Sequence, residues 1–137
     1  MFRISCILLF IVFIVQSTIL QHNAFSQNSE WKAPSSFDKL ENLYTSKANS
    51  AEAGQKIFEK VCYKCHGLDG KGNGPDSKDL IPKPKDLTDK IVQVQSDGAL
   101  YYKISYGKGV MAPYKDALAP RDRWQLVVYI RQLSNEK

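Results

Sequence analysis

Cys62-Tyr63-Lys64-Cys65-His66 is the segment of this chain whose side-chain types and spacing can do chemistry. It presents two thiols three residues apart and an imidazole directly after the second. A structural zinc site needs four ligands, but after residue 26 the chain offers only these two cysteines and one histidine. A thioredoxin-type dithiol follows a strand in a βαβ setting, whereas here helical spacing precedes the pair and a glycine-rich stretch follows it. A disulfide between residues so close in sequence closes a tiny loop and stabilises little through chain entropy. The remaining chemistry is covalent attachment of haem, for which C-x-x-C-H is the required run. Two thiols at this spacing reach the two vinyl groups of one ring from the end of a helix, and the next residue, His66, turns toward the iron as an axial ligand.

The rest of the 137-residue chain must position that run. Arg3, the unbroken apolar stretch from Cys6 to Val15 and the small residues Ala24 and Ser26 describe a secretory signal over residues 1–26. The apolar run is short for a bilayer span, which needs roughly 18–20 residues; the alternative is an uncleaved N-terminal anchor. Bacterial haem attachment takes place outside the cytoplasmic membrane, so an export signal and C-x-x-C-H belong together. Beyond the signal, 18 Lys and Arg stand against 14 Asp and Glu. These lysines are spread along the chain without interleaved aromatics, which argues against nucleic acid and for steering toward an acidic protein partner.

Residues 27–50 read as a polar arm, with a short helix suggested by the spacing of Phe37, Leu40, Leu43 and Tyr44 and with Trp31 available for docking. The compact domain is expected over 51–137. Ser50 is the expected N-cap of a helix over about 51–62, with Glu52 in its first turn and Gly54, Ile57, Phe58 and Val61 on one face. Glycines and prolines from Gly67 to Pro84 predict loop. Ser96 is expected to cap a helix over 97–106 that Gly107 ends, and Pro120 to open a last, strongly apolar helix running to about 134. No stretch alternates as a strand does.

On these features residues 51–134 resemble class I cytochromes c, the small single-haem cytochromes and cytochrome subunits of bacterial respiratory complexes. Gly54 and Phe58 precede Cys62 by eight and four residues, Leu126 and Tyr129 lie in WQLVVYIRQL, and YGKGVMAPY is similar to the family's methionine loop. The resemblance implies an all-α cytochrome c fold, three to four helices around one covalently bound haem c. It implies that Gly54, Phe58, Leu126 and Tyr129 form the crossing of the first and last helices. It makes Met111 the second axial iron ligand, opposite His66; without the resemblance, a lone methionine reads as core filler. It also implies that a proline carbonyl, of Pro82 or Pro84 with Pro82 favoured, accepts from the second ring nitrogen of His66.

Other residues carry lesser expectations. Trp124 reads as core beside the haem, with a hydrogen bond to a propionate as the alternative, and Tyr106 and Tyr114 flank the methionine loop. Asp69 to Gly74 lacks the Lys-Ser/Thr end of a phosphate loop and the oxygen spacing of a calcium loop, and reads as the turn after the histidine. Lys60, Lys64, Lys71, Lys108 and Lys115 come from segments expected around the haem edge. The expected function is periplasmic electron transfer by reversible Fe(III)/Fe(II) cycling between redox partner proteins, with no catalytic residue, no nucleic acid and no small-molecule substrate. The alternatives are an electron-transfer subunit of a larger membrane oxidoreductase, and a haem enzyme or gas sensor with a labile sixth position.

Overall fold

The computed structural model describes residues 31–134; the expected signal over 1–26 and the first residues of the arm lie outside them. The chain divides between Lys32 and Ala33, and the fold below is that of residues 33–134. Six helices follow one another: α1 (Ser35–Asp38), α2 (Ser50–Val61), α3 (Tyr63–His66), α4 (Lys90–Gln93), α5 (Asp97–Tyr106) and α6 (Pro120–Leu133). Among the described residues the sole β pairing is an isolated bridge between Lys108 and Met111. The fold is all-α, with α2, α5 and α6 long enough to build a core.

The three long helices start and stop for local reasons. Ser96 Oγ accepts a hydrogen bond from the Ala99 amide at 3.0 Å and caps α5 as expected, and Gly107, at φ 59°, ends it. Pro120 occupies the first turn of α6, where its missing N–H costs nothing. The start of α2 differs from expectation. Asn49 is the N-cap residue, in the left-handed region at φ 62°, and its carbonyl accepts from the Ala53 amide at 2.9 Å. Ser50 is the first helical residue, 2 % exposed, and its hydroxyl has no partner. Asparagine tolerates the left-handed turn that leads into this helix, and that turn takes the capping position from Ser50.

The core joins Phe58 of α2, Val92 of α4, Leu100 and Ile104 of α5, and Leu126, Val127, Tyr129, Ile130 and Leu133 of α6. Each such side chain contributes about 1.5–3 kcal/mol when fully buried. The crossing of α2 and α6 is the tightest part. A Cβ on Gly54 would sit 2.1 Å from the Gln125 carbonyl oxygen, so only glycine lets the two backbones approach. The Phe58 and Tyr129 rings pack beside it with centroids 5.3 Å apart.

Two elements depart from the periodicity of the sequence. The expected helix through Phe37, Leu40, Leu43 and Tyr44 is a single turn, and Leu40 and Leu43 are exposed. Phe37 is half-buried against Tyr102 at 4.9 Å, and Tyr44 is half-buried as well. This segment is tied down by polar bonds: Ser96 Oγ donates to Asp38 at 2.7 Å, and Asn42 donates to the Trp124 carbonyl at 3.2 Å. The one-turn helix α4 lies past the Gly67–Pro84 loop, in a stretch to which the sequence assigns no element; the Asp89 carboxylate caps it by accepting from the Ile91 amide at 2.8 Å.

Gly54→Val is expected to lower unfolding stability by about 3 kcal/mol through overpacking against the Gln125 backbone. Guanidinium unfolding followed by circular dichroism measures it, and an unchanged midpoint would remove the close crossing from the account.

Candidate functional site

The attachment run lies where α2 gives way to α3. The Cys62 amide continues α2 by donating to the Phe58 carbonyl at 2.8 Å, and the Cys62 carbonyl then accepts from the amides of Cys65 (3.2 Å) and His66 (3.0 Å). One short turn therefore carries both thiols and the imidazole. Both cysteines are free thiols and half-buried. Burial pushes the Cys62 thiol up to about 12, and Cys65 beside it adds to the shift, so Cys62 is a neutral thiol at neutral pH.

The loop after His66 folds back onto this turn. The Gly72 amide donates to the His66 carbonyl at 2.7 Å, the Gly74 amide to Cys65 at 3.2 Å and the Asp76 amide to Lys64 at 2.8 Å. These bonds satisfy the carbonyls that the end of α3 leaves without helical partners. A Cβ on Gly74 would meet the Tyr63 and Lys64 carbonyl oxygens at 2.3 Å, which is why the loop needs glycine there. Asp69 shapes the turn by accepting from the Lys71 amide at 3.1 Å, and that bond is the main reason its carboxyl is held below the usual range.

His66 Nδ1 lies 3.3 Å from the Lys85 carbonyl oxygen. The acceptor is thus Lys85, not Pro82 or Pro84. The Pro84 carbonyl is turned to Gly72 instead, 2.3 Å from where a Cβ would stand, and Leu87 donates to the Gly70 carbonyl at 2.7 Å. This packing of one loop on the other carries the chain one residue past Pro84 before a carbonyl faces the imidazole. A proton on Nδ1 leaves Nε2 with its lone pair, the tautomer a metal ligand requires. Burial holds the pKa of His66 below its ordinary value, with the Lys85 carbonyl pulling the other way.

Met111 is half-buried in the loop between α5 and α6. Its carbonyl accepts from Lys108 at 3.0 Å and its amide donates to Lys108 at 3.1 Å, which closes a tight turn. Three residues on, Tyr114 fastens the loop. Its amide donates to the Ile104 carbonyl at 3.1 Å, and its hydroxyl donates to the carbonyl of Val61, the residue before Cys62, at 3.2 Å. Burial raises the Tyr114 pKa, and Cys62 and Cys65 add to the shift. Of the two tyrosines flanking the loop, Tyr114 reaches the attachment run. Tyr106 instead packs against Phe37 and Tyr102, with ring centroids at 6.0 and 4.8 Å.

The donor set fits a covalently held iron porphyrin: two free thiols on one turn, an imidazole whose Nδ1 faces a carbonyl, and a thioether on a loop bonded to the same helix end. The attachment loop, the proline loop and the methionine loop also carry Leu68, Ile81 and Val110, which are 63 %, 89 % and 54 % exposed. Such side chains suit the margin of a large apolar ring. Trp124 stacks on Tyr101 at 4.1 Å and packs against the core. Lys60, Lys64, Lys71, Lys108 and Lys115 are all on the surface, with Lys71 3.6 Å from Asp69 and Lys115 over the Tyr106 ring. The Lys85 carbonyl and the Tyr114–Val61 bond had no signal in the sequence, because both depend on how loops distant along the chain fold together.

Known proteins agree with this chemistry. The family model described as cytochrome c oxidase, cbb3-type, subunit III matches residues 49–130. The chain is 39% identical over 100 residues to the cbb3-type cytochrome c oxidase subunit FixP of Bradyrhizobium diazoefficiens, a stretch covering 72% of this chain and 32% of that protein. It is 38% identical over 100 residues to FixP of Bradyrhizobium sp. (strain ORS 278), with the same coverage. The chain thus spans about a third of the length of these curated relatives. Among solved structures, a chain of the Kuenenia stuttgartiensis reducing HAO-like protein complex superposes with a TM-score of 0.55 at 27% identity, over 64% of this chain and 44% of that one. Since the family match takes in 82 of the 137 residues, this chain belongs to the cbb3-type cytochrome c oxidase subunit III family and is a c-type cytochrome of a bacterial respiratory chain, carrying covalently bound haem c.

Proposed function

We propose that this protein passes single electrons through one haem joined to Cys62 and Cys65 and ligated by His66 and Met111, as an electron-transfer subunit of a membrane oxidoreductase. The observation that carries the ligand set is the Tyr114 hydroxyl bonded to Val61, which brings the methionine loop against the attachment turn. The subunit reading draws on the relatives, which are described as cbb3-type oxidase subunits. A signal over residues 1–26, followed by a polar arm and a haem domain over 51–137, would deliver the haem domain to the periplasm.

When bound, the iron supplies reversible exchange of one electron between Fe(III) and Fe(II). The chain's residues set the terms. Cys62 and Cys65 hold the ring at the end of a rigid helix. The Lys85 carbonyl holds the His66 ring in one orientation and tautomer. The Met111 thioether, a soft donor, favours Fe(II) and raises the reduction potential over a second imidazole. A haem held by both His66 and Met111 would offer small ligands no open place unless Met111 left, which suits outer-sphere transfer better than catalysis. The exposed lysines would steer an acidic partner toward the haem edge.

Cys62→Ala and Cys65→Ala, expressed with a working maturation system, are expected to lose most doubly linked haem, read by intact mass and by the absorption spectrum; normal yield contradicts the attachment residues. Met111→Ala is expected to retain haem, lower the potential and let the reduced protein bind carbon monoxide rapidly. An unchanged spectrum would mean another residue ligates the iron. The protein is expected to co-purify with membranes as part of a larger complex. Recovery free in the periplasmic fraction, with the N-terminus cut near Ser26, would make it a mobile shuttle instead. Electron transfer to the partner is expected to slow as salt rises, since the lysines are screened over about 8 Å at physiological ionic strength.

A further inference from the structure

Arg123, in the first turn of α6, is 5 % exposed. Its environment is poor for a charge. One terminal nitrogen donates to Ser105 Oγ, the guanidinium lies over the Tyr101 ring at 4.7 Å, and the buried Nε has no partner. Among the described residues no carboxylate pairs with it. Arg131, eight residues on in the same helix, shows the contrast. It lies 2.8 Å from Asp97 and bonds the Gln93 and Gln95 carbonyls. An aliphatic side chain would join two helices without the cost of burying a charge. What a guanidinium adds is a directional, charge-assisted bond, so the question is what that bond holds.

Ser105 lies in the last turn of α5, and its Oγ also donates to the Tyr101 carbonyl at 2.7 Å. The Ser105 carbonyl accepts from the Lys115 amide at 3.0 Å, and the neighbouring Ile104 carbonyl accepts from Tyr114 at 3.1 Å. The loop carrying Met111 leaves α5 at Gly107 and enters α6 at Pro120. The bond from Arg123 to Ser105 therefore joins the two helices at the base of that loop, next to the carbonyls that fasten its return.

We infer that Arg123 is a positioning residue for the methionine loop, bracing α5 against α6 so that Met111 stays directed at the iron. The inference rests on the reading of Met111 as an axial ligand.

The test uses the full haem-loaded protein and its Arg123→Leu, Arg123→Lys, Ser105→Ala and Arg131→Leu variants. Two readouts report the iron–sulfur bond: the long-wavelength ferric band of thioether ligation, and the rate at which the reduced protein binds carbon monoxide. The unchanged protein and Arg131→Leu are expected to show the band and bind carbon monoxide slowly. Arg123→Leu is expected to keep its haem and helix content, lose most of the band and bind carbon monoxide about tenfold faster, as loss of a hydrogen bond from a charged donor implies. Ser105→Ala is expected to move the same way by a smaller amount, and Arg123→Lys to restore part of the band. If Arg123→Leu does not accumulate, Ser105→Ala and Arg123→Lys decide the matter by the same two readouts. A full band and slow binding in Arg123→Leu, or in Ser105→Ala, would overturn the inference, however far the unfolding midpoint falls. So would a lowered potential with the band intact, which would mark the buried charge alone as the agent. Absence of the band from the unchanged protein would instead remove Met111 as ligand, and the inference with it.

Discussion

Two backbones meet where Gly54 of α2 lies against the Gln125 carbonyl of α6, closer than any side chain would permit. That approach sets the crossing of the two longest helices and so the direction in which α2 ends. Phe58, fully buried one turn later, and Leu126 and Tyr129 opposite it make the crossing rigid. Cys62 follows directly. The turn that carries both thiols and His66 is thus set at the end of the tightly packed crossing, which suits the proposed attachment of a haem there.

Most of the rest of the site is loop, and backbone bonds hold the loops alongside the packing of Leu87, Tyr114 and Leu118 against the core. The stretch after His66 returns to the carbonyls of Lys64, Cys65 and His66; the proline stretch leans on that loop through Gly70 and Gly72; the methionine loop is fastened to α5 by Tyr114 and Lys115 and to α2 by the Tyr114 hydroxyl. Bonds of this kind are individually worth about 1 kcal/mol, but they are directional. They place the imidazole and the loop that carries the thioether without requiring a large core, which a domain of this size cannot build. A covalently attached apolar ring would add to the core that a domain of this size builds.

The segment from Ala33 to Asn49 adds a second layer of support. Phe37 packs edge-on against Tyr102 and Tyr106 of α5, Ser96 serves both as the cap of α5 and as a donor to Asp38, and Asn42 reaches the first turns of α6. It touches the two helices whose ends bracket the methionine loop, so its polar composition conceals a structural part.

The covalent haem c of the family was legible in the sequence because the motif that signals it is local. A thiol pair three residues apart with an adjacent imidazole needs no tertiary information to be interpreted, and the same holds for the Ser96 cap, the stop at Gly107 and the proline opening of α6. The helix-crossing residues were legible through family resemblance, since spacing along α2 and α6 survives as a pattern. Other features depended on partners far along the chain. Ser50 lost its capping role to a left-handed Asn49; the Phe37–Tyr44 periodicity gave way to one turn; the carbonyl facing His66 is that of Lys85; and a buried Arg123 braces two helices. Sequence alone therefore determined which groups can bond a haem and on which elements they sit, because those depend on neighbours within one helical turn. Which carbonyl orients the imidazole, which tyrosine ties the methionine loop to the attachment helix and where a charge is buried were decided only when segments dozens of residues apart packed together, because a hydrogen bond between loops exists only once both loops are in place.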